Sequence, residues 1–212
     1  MYRLLSATPS PYARKVRVAL LEKGVPFELV TEIPWHDGAL TETLNPLQKL
    51  PVLIPDEGEP VYESSLILEV LELCHPDPPL FPIDPVARLQ ARRFEVLGDG
   101  ICDAVVLILL ERMRAADKQS APWLARQMRK VQGGLAELAR LAPPRPPLVG
   151  DRFGLADIAV GCTLGYLGLR LPELDWQATH PALVPLHEAW EARPSFAETV
   201  PVRQPIDAAV VI

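Results

Sequence analysis

The chain has little with which to hold a metal or build a disulfide framework. Its three cysteines, Cys74, Cys102 and Cys162, lie far apart with no C-x-x-C pair, and its four histidines share no metal-ligand spacing with one another or with the cysteines. No metal site is expected. An odd, widely spaced set suits a reducing compartment, where such cysteines serve as small buried hydrophobes. Basic excess is also missing: a formal net charge of -6 leaves nothing to neutralise a phosphate backbone, which counts against nucleic acid as the main partner. Long apolar runs are absent too. The longest, Ala104 to Leu110, falls far short of the roughly 18 residues that span a bilayer. Met1 to Ser6 has no charged-then-apolar leader. A cytoplasmic protein with no membrane partner is expected, acting on a small molecule or another protein.

What is present is the balance of a soluble globular chain, 49% hydrophobic and 23% charged over 212 residues, enough apolar material for a sizeable core. Tyr2 to Leu5 reads as a strand, followed by the polar, proline-rich turn Ser6 to Pro11 and a helical period through Val16, Ala19 and Leu20 that stops at Gly24. Phe27 to Ile33 alternates like a second strand. Val52 to Ile54 and Pro60 to Tyr62 flank an acidic Gly turn, the signature of a hairpin, and Ser64 opens another helical stretch through Leu73. The order β-α-β, irregular link, β-β-α describes a small sheet with helices on its faces. His75 to Pro79 and Pro82 to Pro85 form a proline-dense connector that cannot continue a helix. Beyond it, helices are predicted over Val86 to Ala116, Ala121 to Leu141, Leu155 to Leu169 and Pro181 to Ala192. The expected domains are 1–78 and 86–212.

Three sites can carry chemistry. Ser10-Pro11-Tyr12-Ala13 stands where a strand hands over to a helix: Ser10 is a good N-cap, and Pro11 is preorganised for the first helical position. A C-P-Y-C at this point would be a dithiol redox motif, but Ser10 and Ala13 occupy both thiol positions, so these residues cannot perform dithiol chemistry. Ser10 either only caps, or joins the helix N-terminus in stabilising an anion brought by a ligand. In Asn45 to Leu53, Pro51 directly precedes a strand. Its peptide bond is either trans, at an ordinary strand start, or cis, which would turn Leu50's backbone outward to pair with an extended peptide. At Glu63-Ser64-Ser65, Ser64 can cap the next helix, whose free N–H groups suit a carboxylate, while Glu63 can pair with an amine. A thiol, a peptide backbone, and an amine beside a carboxylate are the groups of glutathione.

These residues, S-P-Y-A-R-K-V, N-P-L-Q-K-L-P-V-L and E-S-S, resemble the N-terminal domain of glutathione transferases. The connector L-F-P-I-D-P and the helical remainder are similar to the same family, most like its bacterial glutathione-transferase-like members. The resemblance implies an α/β thioredoxin-like N-terminal domain that binds glutathione and an all-α C-terminal domain that completes the second-substrate pocket. It implies that Ser10, or Thr8 nearby, hydrogen-bonds the glutathione sulfur, that Leu50 before a cis Pro51 pairs with the cysteinyl backbone, and that Glu63 and Ser64 hold the γ-glutamyl end. Lys49 or Gln48 would reach a glutathione carboxylate. A homodimer is implied, with glutathione as co-substrate, an electrophilic small molecule as second substrate, and a role in detoxification. Tyr12, Trp35, Leu109 and Arg112 are candidates for the second pocket, or simply core. The family's Ser/Thr-x-x-Asp capping box reads here Gly154-Leu155-Ala156-Asp157, which keeps the Asp and loses the hydroxyl. A transferase is the leading reading. A glutathione-binding or scaffold protein without useful turnover, and a glutathione-dependent reductase of disulfides or peroxides, are the alternatives.

Overall fold

The computed structural model describes residues 1–205. β1 (Tyr2–Ser6) buries Leu4 and Leu5 completely and hands over at Ser10 to α1 (Pro11–Glu22). The helix starts there for local reasons. Ser10 Oγ accepts from the Ala13 N–H at 3.2 Å, and Pro11 fills a first position whose N–H would have no intrahelical partner. Gly24, at φ 63°, makes the left-handed turn into β2 (Phe27–Thr31), which stops two residues short of the predicted end. α2 (Leu40–Leu44) is capped from afar: the Glu32 carboxylate accepts from the N–H groups of Leu40 and Thr41, each at 3.0 Å. β3 (Val52–Ile54), β4 (Val61–Tyr62) and α3 (Ser64–Cys74) complete the predicted order.

The sheet runs β2-β1-β3-β4, with β1 parallel to β2 and antiparallel to β3, and β3 antiparallel to β4. The α1 crossover allows the parallel pair, and the short acidic turn forces the antiparallel one. α1 and α3 pack on each other, α3 also meets β3 and β4, and Val16, Leu20, Ile67, Leu68 and Leu71 of the two helices are buried. This is a thioredoxin-like arrangement, and the chain after the connector is helical.

Past the connector, Asp84 accepts from the Ala87 N–H at 2.8 Å and starts α4 (Pro85–Met113), which ends three residues before the predicted limit. The chain continues through α5 (Ala121–Leu141), α6 (Leu155–Arg170), α7 (Trp176–Thr179), α8 (Val184–Glu191) and α9 (Pro194–Ala197). The stretch predicted as one helix from Pro181 begins instead as a 3-10 turn, Pro181–Leu183. α4 packs against α5 and α6. At the α4–α6 contact a side chain on Gly98 would meet Thr163 Oγ1 at 2.7 Å and the Ala159 carbonyl at 3.3 Å, so the two backbones approach as only glycine permits. Asp157 sits buried at the start of α6 and accepts from Leu148 N–H (3.0 Å), Gly154 N–H (3.2 Å) and Trp190 Nε1–H (3.0 Å). The cap thus survives on its Asp half. Burial pushes the Asp157 carboxyl up to about 6, even though its three donors favour the charged form.

The chain divides into two compact units, one holding Met1–Leu80 together with residues 195–205, the other Phe81–Pro194. Expected from sequence to end the helical domain, 195–205 pack with the first unit because its side chains offer them partners. Arg14, buried in α1, donates to the Phe196 carbonyl (3.1 Å) and to Thr199 Oγ1 (3.3 Å) and stacks on the Phe196 ring. Cys102 and Cys162 are buried hydrophobes as expected, but Cys74 is exposed, since α3 ends at its surface-facing last turn there. Among the described residues no helix is long and apolar enough to cross a membrane, and no group of acidic, histidine or cysteine side chains could hold a metal ion.

Candidate functional site

Strand register brings the three predicted segments to one end of the sheet. Leu5 pairs with Val52, and Val52 with Tyr62, so the loop after Ser6, the residues before Val52, and Glu63 after Tyr62 all emerge at the same edge. β2 runs parallel to β1, Ser6 opposite Thr31, so Glu32 and the segment bearing Trp35 leave from that edge as well. Ser10, Leu50, Pro51, Glu63 and Ser64, up to 54 positions apart in sequence, therefore belong to one rim.

Ser10 is half-buried. Its oxygen accepts the Ala13 amide, which shows the cap, while the hydroxyl proton has no acceptor among the described residues. A hydroxyl can accept and donate at once, so capping leaves the donor free for an anion at the α1 N-terminus. Thr8 is also half-buried, two residues earlier on the same turn.

The Leu50–Pro51 bond is cis. Among the described residues neither the N–H nor the C=O of Leu50 has a partner, so both can serve an added extended chain. The loop that presents Leu50 is organised by a residue to which sequence reasoning gave no role. Asn45, buried, accepts the Leu47 N–H on Oδ1 (2.9 Å) and donates from Nδ2 to the Lys49 carbonyl (2.7 Å), and its own carbonyl accepts the Gln48 N–H (2.8 Å). The signal was available, because Asn before Pro is a turn former whose side chain bonds the backbone two residues on. Lys49 and Gln48 are exposed on that loop, the latter at φ 52°.

At α3 the cap is not the one predicted. Glu63 is the N-cap and its Oε1 accepts the Ser65 N–H, while Ser64 is the first helical residue and is buried. The longer carboxylate reaches the amide that Ser64, already turned into the helix, cannot. Glu63 is exposed and keeps its second carboxylate oxygen for another donor.

The second-pocket candidates are not brought together within either unit. Tyr12 is half-buried in the first turn of α1, and Trp35 lies exposed beyond β2 in the same unit. Leu109 and Arg112 are on α4 in the other unit, and the Arg112 guanidinium pairs with Glu173 at 2.7 Å. That partner, 61 residues on, leaves no trace in a helical pattern.

Two family models match the chain: glutathione S-transferase N-terminal domain over residues 9–73, and glutathione S-transferase C-terminal domain over residues 121–189. It is 38% identical over 199 residues to the uncharacterized GST-like protein YibF of Escherichia coli K12, covering 94% of this chain and 98% of that one. The chain belongs to the glutathione S-transferase family. Among solved structures it is similar to a glutathione S-transferase of Methylobacterium radiotolerans in complex with glutathione sulfonate, at 63% identity and TM-score 0.94, with 97% of each chain covered. A second is that of Methylobacillus flagellatus with glutathione bound, at 40% identity and TM-score 0.91, covering 95% of this chain and 100% of that one.

Proposed function

We propose that this family member is a glutathione transferase in which Ser10 donates a hydrogen bond to the glutathione sulfur. The observation that carries the reading is the Ser10 hydroxyl, held by its cap bond at the start of α1 with its proton uncommitted. The glutathione and glutathione sulfonate in the two related crystal structures support glutathione as the ligand. The unpaired backbone of Leu50 receives the cysteinyl peptide, Glu63 and Ser64 the γ-glutamyl end, and Lys49 a carboxylate. With the hydroxyl and the helix N-terminus beside it, the sulfur loses its proton to solvent more readily, and each unit of lowered thiol pKa is worth about 1.4 kcal/mol. The thiolate then attacks an electrophilic carbon, forming a C–S bond while a leaving group departs or a double bond opens. Proximity and a stabilised thiolate supply the rate.

The reading includes a homodimer in a reducing, cytoplasmic setting and a role in detoxification. The homodimer alone has physical support, an apolar surface uncovered among the described residues: Leu66 and Leu73 stand exposed on one face of α3, and Val86, Leu89 and Val96 recur at helical spacing along α4. Sedimentation at micromolar concentration showing a single species of monomer mass removes the dimer. Retention on immobilised glutathione, followed by turnover against a panel of electrophiles, tests the enzyme. Failure to be retained sinks the ligand, and retention without turnover leaves a binding protein.

A further inference from the structure

Besides the ligand-binding groups, the rim of the sheet carries a segment that the transferase reaction leaves without a role. After Thr199 the chain returns along the first unit, and two hydrogen bonds tie it to the rim: Val202 N–H donates to the Thr8 carbonyl (3.4 Å) and Gln204 Nε2 to the Glu32 carbonyl (3.3 Å). Thr8 and Glu32 are the second residue after β1 and the first after β2, so the segment crosses the end of the parallel pair, where Ser10 also lies. Its root is firm. Arg14 grips Phe196 and Thr199, Thr199 Oγ1 donates to the Ser195 carbonyl at 2.7 Å, and Arg17 donates to the Glu198 carbonyl at 3.2 Å. Arg14 in turn donates its amide to the Ser10 carbonyl, so the root is fastened to the turn that begins at Ser10.

We propose that residues 200–205 act as a strap that positions the sulfur-binding turn, with the Val202 N–H and the Gln204 amide as its anchors. The Thr8–Ser10 turn has few ties of its own. Of the four peptide nitrogens from Thr8 to Pro11, those of Pro9 and Pro11 cannot donate, and among the described residues the turn is closed by one bond, Ser10 N–H to the Ala7 carbonyl at 3.0 Å. Val202 supplies the donor for Thr8's carbonyl that this proline-rich stretch lacks. Both anchor bonds are longer than the usual N–H···O distance of about 2.7–3.2 Å, so each is weak. The strap steadies the hydroxyls of Thr8 and Ser10 where a sulfur would lie and contributes no group to the peptide of the ligand. Val202 and Gln204 are therefore positioning residues, and their role in turnover rests on the proposed transferase function.

Val202→Pro removes the backbone donor but also fixes φ and replaces an exposed side chain, so Val202→Ala, which keeps the N–H, is its control; Gln204→Ala removes the side-chain donor, and a chain ending at Thr199 removes the strap and all that follows it while keeping the Arg14 root. Amide hydrogen exchange, measured without glutathione, tests the strap independently of any activity. Exchange at Ser10, whose N–H closes the turn on the Ala7 carbonyl, rises in Val202→Pro and in the shortened chain while α3 and β3 stay protected; unchanged exchange at Ser10 in both overturns the proposal. With glutathione, kcat falls about two- to threefold in Val202→Pro, the low end for one neutral hydrogen bond, and the bound thiol titrates at higher pH while KM for glutathione holds. A raised KM with unchanged kcat and thiolate titration also overturns it, because the strap would then be contacting ligand. A wild-type protein that neither binds nor turns over glutathione defeats the proposed function, and the exchange measurement still decides the strap.

Discussion

Replacing Ser10 by glycine and, separately, by alanine divides the two roles that its hydroxyl can hold. The oxygen accepts the Ala13 N–H at 3.2 Å, so both substitutions remove a cap bond; alanine at an N-cap costs about 1 kcal/mol of stability, glycine only a few tenths. Both equally remove the donor to sulfur. A hydrogen bond to a charged partner is worth about 1.5–3 kcal/mol, which predicts a fall in turnover at neutral pH of about ten- to hundredfold in either variant. Glutathione affinity should change much less, since Leu50, Glu63 and Ser64 hold the peptide elsewhere on the rim. The assays are initial rates with an excess of electrophile, the thiolate absorbance of bound glutathione against pH, and thermal melting. The expected pattern is equal loss of activity, an equal rise in thiol pKa, and a lower melting temperature in Ser10→Ala alone. If Ser10→Gly retains near-full activity with an unchanged thiolate titration, Ser10 is only a cap and Thr8 becomes the donor to test.

Asn45→Ala leaves the Leu47 N–H and the Lys49 carbonyl without their partner; a cost of about 1–3 kcal/mol in chemical denaturation is expected, with KM for glutathione raised through Leu50 and kcat little changed. Asp157→Asn probes linkage. Because burial raises the folded carboxyl to about 6 from 3.8, the folded state holds the proton more tightly than the unfolded chain, and the stability this adds is complete below about pH 4 and lost as pH rises through 6. The stability of wild type relative to Asp157→Asn should therefore fall by up to about 3 kcal/mol between pH 4 and 7, and urea midpoints that keep a constant difference across that range contradict it. Gly98→Ala and Gly100→Ala form a matched pair in α4: the first drives a methyl into Thr163 and the Ala159 backbone and should cost about 1–3 kcal/mol, while the second meets open space and should gain up to about 1 kcal/mol from helix propensity. Equal melting temperatures for the two would refute the close α4–α6 contact.

Sequence alone determined the features whose causes are local. Ser10-Pro11 starts a helix because a capping oxygen and a preset φ act within one turn, and Asp84-Pro85 does the same one residue before the expected start at Val86; the acidic turn between Ile54 and Val61 makes a hairpin for the same kind of reason. The order of strands and helices in the first unit, the long helices of the second, and the place of the Ser10, Leu50 and Glu63 segments were legible in periodicity and breakers. The tertiary structure decided what depends on partners far along the chain. Glu63 rather than Ser64 caps α3, because the turn that the chain takes there sets which side chain reaches the Ser65 amide. Arg112 is paired because Glu173 packs beside it, and Cys74 is exposed because α3 ends at the surface. Residues 195–205 lie on the first unit because the buried guanidinium of Arg14, more than 180 positions earlier, finds its acceptors there. A pattern with a period of two or 3.6 residues describes which face of an element is apolar, and it holds no record of which distant group will satisfy a buried charge or an open hydrogen bond.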